Sequence, residues 1–154
     1  MSEGFYKGEA YKSSKNDSWT TPKNFFQKLD AEFNFVMDAA ALSTNTLVPD
    51  NWLGPDHPTL WRRDALTCAW AGCSGGGWIF LNPPYGKEIG AFMRKANSEI
   101  EHGAKTVALV PARTNTKWWH ESCIQHEVRF IKGRLKFGDG KNPAPFPSAV
   151  VIIK

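Results

Sequence analysis

Trp78-Ile79-Phe80-Leu81-Asn82-Pro83-Pro84-Tyr85 is the stretch from which the rest of the chain can be read. Its first four residues are large and apolar, which predicts a buried strand. The two prolines cannot continue a strand ladder, so the chain must turn after Leu81. On the near side, Gly72 to Gly77 reads as a glycine-rich turn into the strand. On the far side, Ile89, Phe92, Met93, Ala96 and Ile100 recur at helical spacing, and Gly103 ends that helix. Thr106-Val107-Ala108-Leu109-Val110 then forms a second buried strand, stopped by Pro111. This is a strand–helix–strand unit.

The pattern extends both ways. Upstream, Thr21 can cap a helix and Pro22 suits its first position. Phe25, Phe26, Leu29 and Phe33 follow on one stripe, Asn34 breaks the helix, and Phe35-Val36-Met37 reads as a short strand ending at Asp38. Ala39 to Pro58, with its prolines, asparagines and Gly54, predicts a long ordered loop, a kind often tied to function. Downstream, Thr116 to Ile124 predicts a helix, and Val128–Ile131 and Ala149–Ile153 the last strands. Alternation of this kind is the mark of an α/β fold with an open, mostly parallel sheet. Such sheets hold ligands at the carboxyl ends of their strands. Asp38, Asn82 and Pro111 stand at three such ends.

A chain of 154 residues predicts one domain. At this size roughly 69% of the unfolded surface would be buried, enough for a core without disulfide or metal staples. The hydrophobic share of 42% and charged share of 22% exclude a wholly disordered or collagen-like chain. Residues 1–17 are polar and charged and read as a disordered tail, leaving 18–154 as the domain. A net charge of +4 permits an anionic partner without requiring one. Three cysteines do not suit a secreted disulfide framework and fit a reducing cytoplasm. Cys68, Cys73, His120 and Cys123 have a first gap too wide for an ordinary structural zinc site, so no metal is expected. No apolar run is long enough to serve as a signal peptide or to span a bilayer.

Asn-Pro and Pro-Pro are common loop dipeptides, and a plain turn is one reading of residues 82–85. Their types also answer a chemical problem. The exocyclic amine of adenine is a poor nucleophile because its lone pair is delocalised into the ring. Two fixed acceptors that take its two hydrogens would draw the nitrogen towards a tetrahedral geometry. The side-chain carbonyl of Asn82 and the main-chain carbonyl of Pro83 are those acceptors, and the prolines hold them in place beforehand. Tyr85 offers a ring for the base to stack on, worth ~1–3 kcal/mol. A paired base cannot enter such a pocket, so the target would have to be flipped out.

The chain resembles the phage-type DNA N-6-adenine methyltransferase family, which uses S-adenosyl-L-methionine. The likeness rests on Trp19-Thr20-Thr21-Pro22, Phe35-Val36-Met37-Asp38-Ala39-Ala40, Asp64-Ala65-Leu66, Asn82-Pro83-Pro84-Tyr85-Gly86 and Leu109-Val110-Pro111-Ala112-Arg113-Thr114. Gly133 to Gly138 and Ala144 to Ser148 complete it. The resemblance implies a Rossmann-like methyltransferase fold of reduced size, with a reversed C-terminal hairpin. It implies that Asp38 holds the cofactor at its methionine amine, with Ala39 and Asn82 beside it. Trp19, Thr20, Thr21 and Pro22 would line the cofactor's other side, and Asp64 would lie near its adenosine. It also implies DNA as partner and, for a phage gene, the cytoplasm of a bacterial host. Most methyltransferases carry glycines after the first strand, whereas here Asp38 is followed by three alanines.

Arg113, Lys117, Arg134 and Lys136, interleaved with aromatics, suit DNA backbone contact. Phe137 and Phe146 are candidates for a second wall of the base pocket, or for the core. The segments Thr44–Arg63 and Gly138–Pro147 are candidates for sequence preference, and a homodimer would add DNA contact. Two other readings stay open: methylation of an amine in RNA or of a protein glutamine, and an inactive nucleic-acid-binding domain.

Overall fold

In the computed structural model, residues 20–138 and 140–154 are described. The expected tail, 1–17, and Trp19 lie outside them. Among the described residues, five strands form one sheet: β1 (Met37–Asp38), β2 (Trp78–Leu81), β3 (Lys105–Pro111), β4 (Glu127–Phe130) and β5 (Ser148–Ile153). Their order is β1-β2-β3-β5-β4. β1, β2 and β3 run parallel, with Asp38 opposite Phe80 and Phe80 opposite Val107. β5 runs antiparallel to both β3 and β4 and lies between them. The parallel opening and reversed close expected of the sheet are both present. Among the described residues, no helix is long and apolar enough to cross a membrane.

Alternation along the strands divides the core. Ile79, Leu81, Ala108, Val110, Ala149, Val151 and Ile153 face one side, while Phe80, Val107, Leu109, Val150 and Ile152 face the other. The first face is covered by helices α2 (Trp70–Ser74), α3 (Ile89–Ser98) and α4 (Lys117–Ser122). Trp70, Phe92 and Met93 are fully buried there, each burial worth ~1.5–3 kcal/mol. The second face is covered by α1 (Lys23–Phe33) and by Phe137 and Phe146 from the β4–β5 connection.

α1 buries Phe26, Leu29 and Phe33, spaced as one helical stripe requires. Asn34 ends it in the left-handed conformation (φ 59°), and its N–H donates to the Asp30 carbonyl. The Asp30 carboxylate then accepts from the Phe35 N–H at 2.8 Å and turns the chain into β1. On α3 the buried stripe is Ile89, Phe92, Met93 and Ala96, and a 3-10 turn leads to Gly103 at φ 95°.

Several boundaries differ from the sequence reading. Pro22 is the cap of α1 and not its first residue, in an extended conformation, and the Thr21 hydroxyl is engaged elsewhere. Phe35 and Val36 precede β1, which keeps only two residues because its outer neighbour is a loop, bridged through Trp52 to Asp38. Gly72 is helical within α2, and the turn proper is Gly75–Gly76. Pro111 belongs to β3, opposite Ser148, since a strand's last position has little need of an N–H donor.

Ala39 to Pro58 is irregular but braced. The Asn51 side-chain amide donates to the Val36 and Cys73 carbonyls, each at 2.9 Å. Its oxygen accepts from Arg62 at 2.7 Å. The Asp56 carboxylate accepts from the Ser43 N–H at 3.0 Å.

Candidate active site

The carboxyl ends of β1 and β2 open into a cleft of about 540 Å³, counting its mouth to solvent. Its walls come from three places in the chain: Thr20 and Thr21 before α1, the segment after Asp38, and Asn82-Pro83-Pro84-Tyr85. Open sheets with parallel strands hold ligands at such carboxyl ends.

Asp38 is 3% exposed, a carboxyl group deep in the protein. Its Oδ2 accepts from the Leu47 N–H at 3.0 Å. Its Oδ1 is buried with no hydrogen-bond partner among the described residues. Burial therefore pushes its pKa up to about 7, although the Leu47 and Ala40 amides and the Thr46 hydroxyl pull the other way. A carboxyl left in this state is matched by a cationic group, which would restore its charge and satisfy the second oxygen.

Asn82 is tied to Thr21: its Nδ2 donates to the Thr21 hydroxyl at 3.0 Å. That bond fixes the amide plane, with Oδ1 buried. Tyr85 is half-buried, and its hydroxyl donates to the Leu109 carbonyl at 3.1 Å. Burial pushes the phenol well above its ordinary pKa, so it stays neutral. Its ring meets Phe146 edge-on at 5.6 Å and Phe137 edge-on at 6.2 Å. Both phenylalanines are buried, so they brace Tyr85 from behind as part of the core.

The segment after β1 approaches the rest of the protein closely without a glycine of its own. The closeness is supplied from across the loop. A Cβ on Gly54 would lie 1.7 Å from the Ala41 carbonyl oxygen, so only glycine fits there. The Ala41 N–H in turn donates to Leu53 O at 2.9 Å, and Leu53 N–H to Asp38 O at 2.9 Å.

The structure thus gathers Thr20, Thr21, Asp38, Asn82, Pro83, Pro84 and Tyr85 into one cleft. It places the other sequence candidates elsewhere. Ala39 is fully buried in the core, its N–H on the Phe80 carbonyl. Asp64 caps a 3-10 turn, accepting from the Leu66 N–H at 3.2 Å, and does not line the cleft. Arg113 is exposed, with its guanidinium 5.9 Å from the Phe146 ring centre. Lys117 is exposed on α4 beside Glu121. Arg134, Lys136 and Pro22 line a neighbouring groove. Leu42, Asn45 and Leu47 line the cleft although nothing in their types marked them. Their only signal was their place in a long loop following a strand end.

The family described as DNA N-6-adenine-methyltransferase (Dam) matches residues 8–149. A DNA N-6-adenine-methyltransferase of Haemophilus phage HP1 is 29% identical over 122 residues, covering 78% of this chain and 64% of the relative. One of Escherichia phage T1 is 30% identical over 118 residues, covering 76% of this chain and 45% of the relative. The match therefore spans less than two thirds of either relative's length. With a family match running through nearly its whole length and the motif residues gathered in one cleft, the chain belongs to the DNA N-6-adenine-methyltransferase (Dam) family.

Proposed function

We propose that this protein is an S-adenosyl-L-methionine-dependent methyltransferase that modifies the N6 amine of adenine in DNA, acting on a flipped-out base. The five-stranded sheet is then a reduced Rossmann-like methyltransferase sheet, with β5 as its reversed strand. One observation carries the reading: Asn82 and the half-satisfied, buried Asp38 share a single cleft.

The donor set fits the methyl donor. Asp38 meets its methionine amine, and Thr20 and Thr21 line the opposite wall. When bound, S-adenosyl-L-methionine supplies an activated methyl group; transfer forms one N–C bond, breaks one S–C bond and releases one amine proton.

The chain's own residues prepare the acceptor. The Asn82 carbonyl and the Pro83 main-chain carbonyl each take one hydrogen of the adenine amine. This localises the lone pair on nitrogen and aims it away from both acceptors. Pro83 and Pro84 hold that corner rigid, so little reorganisation is needed when the base arrives. Thr21 keeps the Asn82 amide from turning over. Tyr85, braced by two phenylalanines, supports the base plane and offsets part of the unstacking cost, itself about a few kcal/mol.

A tritiated-methyl assay offering DNA, RNA and protein tests the proposal. Label should enter DNA and, after digestion, co-migrate with N6-methyladenine. Label confined to RNA or protein would overturn it.

A further inference from the structure

Beside the cleft lies a second groove, between the first turns of α1 and the segment that follows β4. Pro22, Asn24, Phe25 and Lys28 line one wall, and Arg134 and Lys136 the other. The two walls are pinned together where the Thr20 carbonyl accepts from the Gly138 N–H at 3.0 Å. Thr20 and Thr21 also line the catalytic cleft, so the peptide from Thr20 to Pro22 is a wall common to both depressions. Lys136 directly precedes Phe137, which packs on Tyr85.

The cations of this groove contrast with those that carboxylates already hold. Arg129 is held by Glu32 and Glu127, each at 2.7 Å, and Lys95 by Glu99 at 3.0 Å. Lys28, Arg134 and Lys136 are exposed, and none has an ion pair with a described residue. Glu32, one helical turn from Lys28, is already engaged in a two-pronged pair with Arg129. No described lining residue is a carboxylate. Arg134 is aimed by a bond from its guanidinium to the Ala144 carbonyl at 3.2 Å. Between the cations, the half-buried Phe25 ring supplies an apolar floor.

From this arrangement we infer that the groove carries the sugar-phosphate backbone of DNA flanking the target base. Lys28, Arg134 and Lys136 face its phosphates, and Phe25 lies under its sugars. α1 is therefore a DNA-contacting helix as well as a core helix. The inference rests on the proposed reading of the cleft as an adenine-methylating site in DNA.

The test uses the full chain with a fluorescent duplex, measuring binding against salt, and methyl transfer in parallel. Each phosphate contact removed should lower the slope of log K against log salt by ~0.9. Lys28→Gln should do so, Lys28→Gln with Lys136→Gln should do so twice over, and Lys23→Gln, on α1 but outside the groove, should not. The KM for DNA should rise several-fold in the groove variants with kcat and methyl-donor binding unchanged. A wild-type protein that methylates DNA while the variants keep its slope and KM would overturn the groove and leave the catalytic reading standing. A protein that binds duplex with the expected loss of slope but transfers no methyl would overturn the catalytic reading alone. No duplex binding at all would overturn both.

Discussion

Asn82 and Thr21 stand 61 residues apart in sequence, yet the Asn82 amide nitrogen donates to the Thr21 hydroxyl at 3.0 Å in the lining of the cleft. The bond joins the segment after β2 to the segment before α1. Asn82→Ala should leave the fold and methyl-donor binding intact and lower kcat by about 100-fold or more, the scale of losing one transition-state partner. Thr21→Val removes only the orienting bond and should cost about 10-fold in kcat. Single-turnover methylation separates the two; equal losses would show that Thr21 does more than orient.

Asp38 makes the unliganded protein sensitive to pH. An unfolded chain ionises this carboxyl near 3.8, whereas the folded protein holds its proton to about 7. The folded state thus binds more protons between those values, and stability falls as pH rises from about 4 to 7, by on the order of a few kcal/mol. Urea titrations from pH 4 to 8 should show this decline, and Asp38→Asn should flatten it.

The same group should couple donor binding to proton release. A cationic amine favours the ionised carboxylate, so affinity should climb as pH rises to about 7 and then level off. Calorimetry in buffers of different ionisation enthalpy would register the released proton below that pH. In Asp38→Asn the proton signal should vanish and affinity should fall by 10-fold or more.

Tyr85 separates ring from hydroxyl. Tyr85→Phe loses one bond to the Leu109 carbonyl and should cost ~1 kcal/mol of stability with kcat nearly unchanged. Tyr85→Ala removes the platform braced by Phe137 and Phe146 and should raise KM for DNA while lowering kcat. Comparison of the two variants by denaturation and steady-state kinetics tests this division.

Gly54→Ala should be among the most damaging small substitutions in the chain. The new methyl would strike the Ala41 carbonyl at 1.7 Å, a backbone atom that cannot step aside. A destabilisation of ~1–3 kcal/mol is expected, with weakened donor binding because Ala41 lines the cleft. Thermal melts with and without the donor would read both effects.

β2 and β3 were legible because each is an apolar run fenced by glycine or proline. The corner at Asn82 was legible for the same reason: prolines after a strand constrain the backbone whatever surrounds them. Asp38 stood out as a charge at a strand end. The part played by Gly54 was hidden, because a close approach to Ala41 depends on how a loop folds back. Asp64 took a cofactor role from the resemblance, with a cap as its other reading, and in the structure its carboxylate caps a 3-10 turn. Lys28 and Phe25 read as ordinary positions of a core helix. Their groove exists only once residues more than a hundred positions away are laid beside them.

The placement of β5 between β3 and β4 also bears on how the protein is made. Of the described strands, the one that joins β3 to β4 is the last to leave the ribosome. Until Ser148–Ile153 has cleared the exit tunnel, β3 has one edge, and β4 both edges, without a partner among the described strands. A nascent chain can gather its parallel half early, but the sheet closes only after translation has passed Ile153.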